Sequence, residues 1–331
     1  MVTAQAAGAD TRMDYRQLGR SGLTVSVVGL GCNNFGGEAT SIAGANAAYG
    51  LMDLEATRAV VDAAFDAGIT FFDTADLYGN GGSERLLGQV LKDRRHQVVI
   101  ATKWGAGMDA RRDIAWGSRR YVRQACEASL RRLGSDYIDL YQMHWPDPRT
   151  PVEETIAALD ELVHAGMVRY IGHSHFTPWQ IADADWIARV GGRERFVSAQ
   201  DHYSLLARGA EAERIPACER FGVGLLPYFP LANGWLTGKY RRDRPAPEGA
   251  RMAGKPIEAR TYDVIEALAA YAEARGRTMV DVAIGALLYR PAVSSVIAGA
   301  TRAEQVRANA AAASWKPDAA DMAELDAVLA G

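Results

Sequence analysis

Four residues of different chemistry stand at the ends of strand-like segments: Asp73 and Tyr78 in DTADLYG, Lys103 in ATKWG and His144 in YQMHWPD. A phenol ionises at about pH 10 in water. To release a proton near neutrality it needs a neighbour that favours its anion, and an ammonium does so. A partly buried ammonium in turn needs a carboxylate. Asp73, Lys103 and Tyr78 therefore read as an acid–base relay. His144 is placed to orient a carbonyl by hydrogen bond or to share in proton transfer. Such a set suits carbonyl reduction, with hydride arriving at carbon while Tyr78 protonates oxygen. Singly, each residue has a plainer reading, as a turn former, a packed ring, a solvated cation or a core histidine. Their convergence on one rim is what speaks for chemistry.

The elements that would position them alternate. Segments rich in Val, Ile, Tyr or Phe begin at Val27, Ile69, Gln97, Tyr137, Val168, Phe196, Val223 and Val293, and read as strands. Helical periodicity lies between them. ATRAVVDAAFDAG places Val60, Ala64 and Ala67 on one face and ends on Gly68, and VEETIAALDELVHAG stops at Gly166. SERLLGQVLKD reads as a helix capped by Ser83. Eight strands, most followed by a helix, mean parallel strands with right-handed crossovers. The expected fold is α/β, a (β/α)8 TIM barrel, with an open doubly wound sheet as the alternative. YRQLG-RSG-LTVSV reads as an N-terminal β-hairpin that plugs the barrel floor, and Ala270 to Arg290 holds two helices, so extra C-terminal helices are expected.

Three long connections, Gly36 to Asp53, Gly105 to Gly117 and Ala232 to Tyr262, follow strands. In a barrel such loops build the active-site face. Other strand ends bring Ser174, His175, Gln200, Tyr228, Thr301 and Arg302 to the same rim. Phe35, Tyr49, Trp104 and Trp145 fall on rim loops; they read equally as loop packing or as an apolar substrate pocket.

Of the 331 residues 48% are hydrophobic, enough for a large core, and a net charge of −3 points to no nucleic-acid partner. Cys32, Cys126 and Cys218 are too widely spaced for a disulfide framework or a zinc site. A reducing cytoplasm is the expected location. Residues 1–13 read as a leader without signal-peptide character, and 14–331 as one barrel domain. No apolar run approaches the roughly 18–20 residues of a membrane span. His144, His173, His175 and His202 raise the idea of a metal site, but no carboxylate stands at ligand spacing, so none is expected.

FFDTADLYG, ATKWG, DLYQMHWPD, YIGHSHF, SLLARGAE, FPLANGWLTGKY and VIAGATRAEQVRAN, in that order, resemble the aldo-keto reductase superfamily from about Tyr15 to the last helix. The LTGKY and SLLAR blocks are most similar to those of bacterial aldo-keto reductases and of β subunits of voltage-gated potassium channels. The resemblance implies NADP(H) bound without a Rossmann fold, and GLGCNNFGG from Gly29 completes only part of G-x-G-x-x-G. It implies a small-molecule aldehyde, ketone or alcohol substrate. It implies that Tyr228 stacks on the nicotinamide, while Ser174, His175 and Gln200 meet its carboxamide. Lys239 and the Leu231–Gly234 turn would hold the pyrophosphate, Thr301 and Arg302 the 2′-phosphate, and Gln305 and Asn309 the adenine. The same carry-over adds Gly31, Cys32, Asn33, Asp73, Phe229, Pro230, Asn233 and Gly299 to the cofactor contacts. A guanidinium beside a helix start favours a phosphate, hence NADP over NAD.

The chain departs from the family pattern at His175, where asparagine is usual, and at Phe229, where serine is common. His173 and His175, two apart on a strand, are expected to point the same way. Two other readings stand beside the reductase: an aldolase-type barrel with Lys103 as Schiff-base nucleophile, and an NADPH-binding partner protein of the channel β-subunit kind.

Overall fold

The structure is a computed structural model that describes residues 12–36, 52–105, 114–248 and 250–330. A hairpin of β1 (Tyr15–Gln17) and β2 (Thr24–Ser26) opens it. The repeat then runs β3 (Val28–Gly31), α1 (Leu54–Asp66), β4 (Phe71–Asp73), α2 (Gly82–Leu91), β5 (Val99–Trp104), α3 (Arg119–Leu133), β6 (Ile138–Met143) and α4 (Val152–His164). It continues with β7 (Val168–Ser174), α5 (Pro178–Val190), β8 (Ser198–His202), α6 (Arg214–Phe221) and β9 (Gly224–Tyr228). After α7 (Ala259–Ala274) and α8 (Met279–Leu288) come β10 (Val296–Gly299), α9 (Ala303–Ala312) and α10 (Ala319–Ala330).

β3 to β10 form a closed barrel of parallel strands in sequence order, with β10 pairing β3 on one side and β9 on the other. All eight expected strands take part, which excludes the doubly wound sheet. Period-two alternation sorts each strand into an inner and an outer set. Phe71, Ala101, Leu140, Leu226 and Ile297 point inward and meet Leu18, Leu23 and Val25 of the hairpin, which plugs the floor as expected. The outward set, with Phe72, Ile100, Tyr141 and Ile171, packs against the helices as the main core. The inner layers above the hydrophobic floor are polar, and there the site lies.

Helix ends follow ordinary local chemistry. Gly68 and Gly166, at φ 76° and 73°, take the left-handed turn just past α1 and α4. Asp53 caps α1 by accepting from the Ala56 N–H at 2.9 Å. Ser83 is not the cap of α2. The helix begins one residue earlier, after left-handed Gly81, and Ser83 is wholly buried. Its hydroxyl donates to the Cys32 carbonyl at 2.8 Å and lies 2.7 Å from Thr74 Oγ1, so it ties α2 to the ends of β3 and β4. The expected C-terminal helix pair is present as α7 and α8, though α7 starts before Ala270.

The leader expected over 1–13 lies outside the described residues as far as 11, but Met13 is already buried in the main core. The connections at 37–51, with Tyr49, and at 106–113 also lie outside the described residues. Among the described residues no helix is long and apolar enough to cross a membrane, and no cluster of His, Cys, Asp or Glu is set to hold a metal.

Candidate active site

Asp73 is the last residue of β4, and Lys103 the last but one of β5. Both point into the barrel. The DTADLYG turn hangs on β5, because Thr74 and Asp76 donate their N–H groups to the carbonyls of Ala101 and Lys103 at 2.8 and 3.0 Å. That attachment returns Tyr78 over the barrel mouth. Lys103 is fully buried and spends all three N–H groups there: on Asp73 Oδ2 at 2.7 Å, the Thr74 carbonyl at 2.8 Å and Tyr78 Oη at 3.4 Å. Asp73 Oδ1 accepts from Gln200 Nε2 at 2.8 Å. Burial acts against the ammonium, but Asp73 and Tyr78 outweigh it, and the Lys103 pKa is raised above its ordinary value. Lys103 is therefore a fixed cation under the Tyr78 hydroxyl.

His144 follows β6, its ring edge-on to Tyr78 at 6.0 Å between centroids. Burial, then the Lys103 and His175 charges, hold its pKa well below 6.5. It is a neutral imidazole at physiological pH. That makes it a hydrogen-bonding group, not a proton donor in its own right.

Taken as a whole, the chain is similar to known proteins over most of its length. The model of the Aldo/keto reductase family matches residues 27–330. An aldo-keto reductase of Metarhizium robertsii is 36% identical over 305 residues, covering 83% of this chain and 80% of its own length. A probable voltage-gated potassium channel subunit beta of Oryza sativa subsp. japonica is 34% identical over 312 residues, 90% of each chain. Probable aldo-keto reductase 1 of Glycine max is 33% identical over 317 residues, 93% of this chain and 87% of its own. The chain belongs to the aldo/keto reductase family. It is an oxidoreductase of a family that works with a nicotinamide cofactor on small carbonyl compounds.

The histidines of this family member divide by side. His173 and His175 do not point the same way. Gly172 and Ser174 face the barrel interior, so His173 faces outward, fully buried, stacked on Phe176 at 4.4 Å and edge-on to Phe196. β7 ends at Ser174, and His175 turns into the left-handed region at φ 62°, which breaks the alternation and brings its ring to the rim. Among the described residues neither His173 nitrogen has a hydrogen-bond partner. Burial, then the Arg214 and His175 charges, lower its pKa to about 3. The unfolded chain takes up a proton near pH ~6.5 and the folded one does not, so His173 erodes stability as pH falls from about 6.5 towards 3. At pH ~5 that erosion is about 2 kcal/mol. His173→Leu removes it: the variant should equal or exceed wild type in melting temperature at neutral pH and exceed it by several degrees near pH ~5. Equal acid sensitivity in the two proteins would contradict this assignment.

The cofactor residues carried over from the family gather at the ends of β3, β7, β8, β9 and β10. Gly31 and Gly299 pair directly across β3 and β10. Asn33 follows them on the same rim. Cys32 is fully buried, and its N–H and C=O are bound to the Asp73 carbonyl and the Ser83 hydroxyl. After β9, Phe229, Ala232, Asn233 and Gly234 all have positive φ, at 53°, 47°, 58° and 108°. Three non-glycine residues in that region cost about 1–3 kcal/mol each, a strain typical of ligand clamps. Buried Pro230 and half-buried Leu231 stiffen this turn. Thr301 donates both its N–H and its hydroxyl to Gln305 Oε1, at 2.8 and 3.2 Å, which shapes the entry to α9. Arg302 is the N-cap position of α9, and Asn309 is buried about two turns on. Among the described residues neither Lys239 nor Arg302 makes an ion pair.

The proposed pocket aromatics separate. Phe35 and Trp104 are fully buried. Lys103 points inward, so its neighbour Trp104 must point outward, where it stacks on Tyr141 at 4.4 Å. Phe35 joins the main core. Among the described aromatics of this set, only Trp145 stays on the rim, 41% exposed. Trp116, which the sequence reading passed over, and His202, which it raised only for a metal site, complete this wall. Trp116 donates its indole N–H to the Trp145 carbonyl at 2.9 Å. His202 stacks on Tyr228 at 5.4 Å between centroids. An aromatic just before a helix N-cap and a histidine at a strand end were the available signals.

Proposed function

We propose that this reductase converts an aldehyde or ketone to the alcohol using NADPH, with Tyr78 as the proton donor. The observation that carries it is Lys103 Nζ, bound at once to Asp73 Oδ2 at 2.7 Å and to Tyr78 Oη at 3.4 Å. Bound cofactor supplies the hydride. Tyr78 Oη holds the proton that the carbonyl oxygen receives. The Lys103 ammonium stabilises the phenolate left behind, and Asp73 keeps that ammonium charged and in place. Neutral His144 donates a hydrogen bond to the same oxygen and sets its direction. Run in reverse, the same phenolate accepts the proton of an alcohol.

A permanently charged Lys103 argues against Schiff-base chemistry, which needs a neutral amine. The intact relay favours an enzyme over a purely binding partner. NADP(H) fits the residues present. Two cations that make no ion pair among the described residues, Lys239 and Arg302, follow the adjacent strands β9 and β10, and no described side chain caps the α9 N-terminus. A helix N-terminus with a guanidinium is a phosphate site. Lys239 and the 231–234 turn would hold the pyrophosphate, Thr301 and Arg302 the 2′-phosphate, Gln305 and Asn309 the adenine, and Tyr228 the nicotinamide face.

Titration with NADPH and NADH, followed by tryptophan fluorescence, tests this directly. Selective NADPH binding is expected. Arg302→Ala should weaken NADPH by roughly 10- to 100-fold, the worth of a charge-assisted bond, and change NADH little. Equal losses would move the 2′-phosphate elsewhere. Failure of the wild type to bind either cofactor would remove the reductase reading.

A further inference from the structure

His175 stands where the family usually has asparagine, and its polar atoms are already committed. The His144 carbonyl, 2.9 Å from Nδ1, can only accept, so Nδ1 carries the hydrogen. Ser174 Oγ, also 2.9 Å from Nδ1, donates its own hydrogen to the Gln200 carbonyl at 2.6 Å and so accepts from His175. Nε2 is then an acceptor, and the Tyr228 hydroxyl 3.0 Å away donates to it. Burial first, and the Arg214, Lys103 and His202 charges beyond it, lower the His175 pKa against the pull of the His144 carbonyl. The neutral Nδ1–H form is the one this network requires.

The ring has a second use. It lies flat against Trp145, 3.6 Å between centroids and 9° between planes. Trp145 is a large exposed aromatic of the rim, and its carbonyl is held by the Trp116 indole. The backbone accepts a left-handed φ of 62° at His175 to set the ring there.

We infer that His175 is a positioning residue that clamps the Trp145 indole as a fixed flat wall of the substrate side, and that it is not a contact of the cofactor carboxamide. The substrate class this favours, resting on the carbonyl-reductase reading above, is a flat aryl or conjugated carbonyl that lies along the indole. A saturated aliphatic carbonyl gains little from such a wall. Asparagine in this position can replace one hydrogen bond but presents no ring to stack.

Three substitutions test the clamp, read first on the cofactor-free protein. His175→Ala and His175→Asn should lose the near-ultraviolet circular dichroism contributed by Trp145, identified as the part also lost in Trp145→Leu, while the far-ultraviolet spectrum is unchanged. His175→Phe, which keeps a ring against the indole, should restore it. Retention of that signal in His175→Ala overturns the clamp whether or not the protein reduces anything. NADPH affinity should be unaltered in His175→Ala; a tenfold loss would reinstate the carboxamide contact. In turnover, the ratio of kcat/KM for benzaldehyde over butanal should fall about 3- to 10-fold in His175→Ala and in Trp145→Leu, with no further fall in the double variant. Additive falls overturn the coupling. If the wild type turns over neither aldehyde the reductase reading fails, and the dichroism result still decides the clamp.

Discussion

Tyr78→Phe should lose turnover by 10²- to 10⁴-fold while binding NADPH as the wild type does, because general-acid transfer is worth about that much. The substitution deletes one oxygen. Lys103 still has Asp73 Oδ2 at 2.7 Å and the Thr74 carbonyl at 2.8 Å, so the buried cation stays satisfied and the barrel mouth keeps its shape. The phenyl ring keeps its edge-on contact with His144, 6.0 Å between centroids. Melting temperature should therefore change little, which separates loss of the proton donor from loss of the fold. His144 does not take over as the acid. Burial first and the Lys103 charge second hold it neutral across the physiological range. Single-turnover rates on the NADPH complex, compared with fluorescence titration, give the two numbers needed. A variant that keeps near-wild-type turnover would show that the proton comes from another group.

Much of this arrangement was legible because two simple rules act together. Strands buried on both faces read as near-continuous apolar runs, so the eight runs from Val27 to Val293 mark the barrel strands without ambiguity. A polar or charged residue that ends such a run has nowhere to go but the barrel mouth, which is why Asp73, Lys103 and His144 declare themselves. Spacing alone is less informative about direction. Once Lys103 is inward, Trp104 must be outward, an alternation that decides for packing over a pocket at Trp104. His175 failed for the opposite reason: alternation was applied past the end of β7, where a positive φ cancels it. Ser83 was misread because its partners are distant in sequence. Ser83 serves the Cys32 carbonyl, 51 residues away, and no local pattern reports such a bond. The Gln200–Asp73 bond, across 127 residues, is of the same kind.

Lys103→Met should cost about 3–5 kcal/mol of stability as well as most turnover, since removing one partner of a buried ion pair strands the other. Asp73 would keep only Gln200 Nε2, at 2.8 Å, in a site where its side chain is 4% exposed. A carboxylate so placed is driven towards its protonated form. The sign of the pH dependence follows. The folded variant holds that proton at pH values where the unfolded chain has lost it, so the stability it retains is greatest in acid and is lost as pH rises. The gap in melting temperature between Lys103→Met and wild type should therefore be wider near pH ~8 than near pH ~5. The double variant Lys103→Met/Asp73→Asn removes the stranded charge. It should recover most of the stability and flatten the pH dependence, yet stay as inactive as the single variant, because Tyr78 Oη still lacks its ammonium. Recovery of turnover along with stability would mean that Lys103 serves the fold alone. A gap that did not depend on pH would mean that water or another cation reaches Asp73 in the variant.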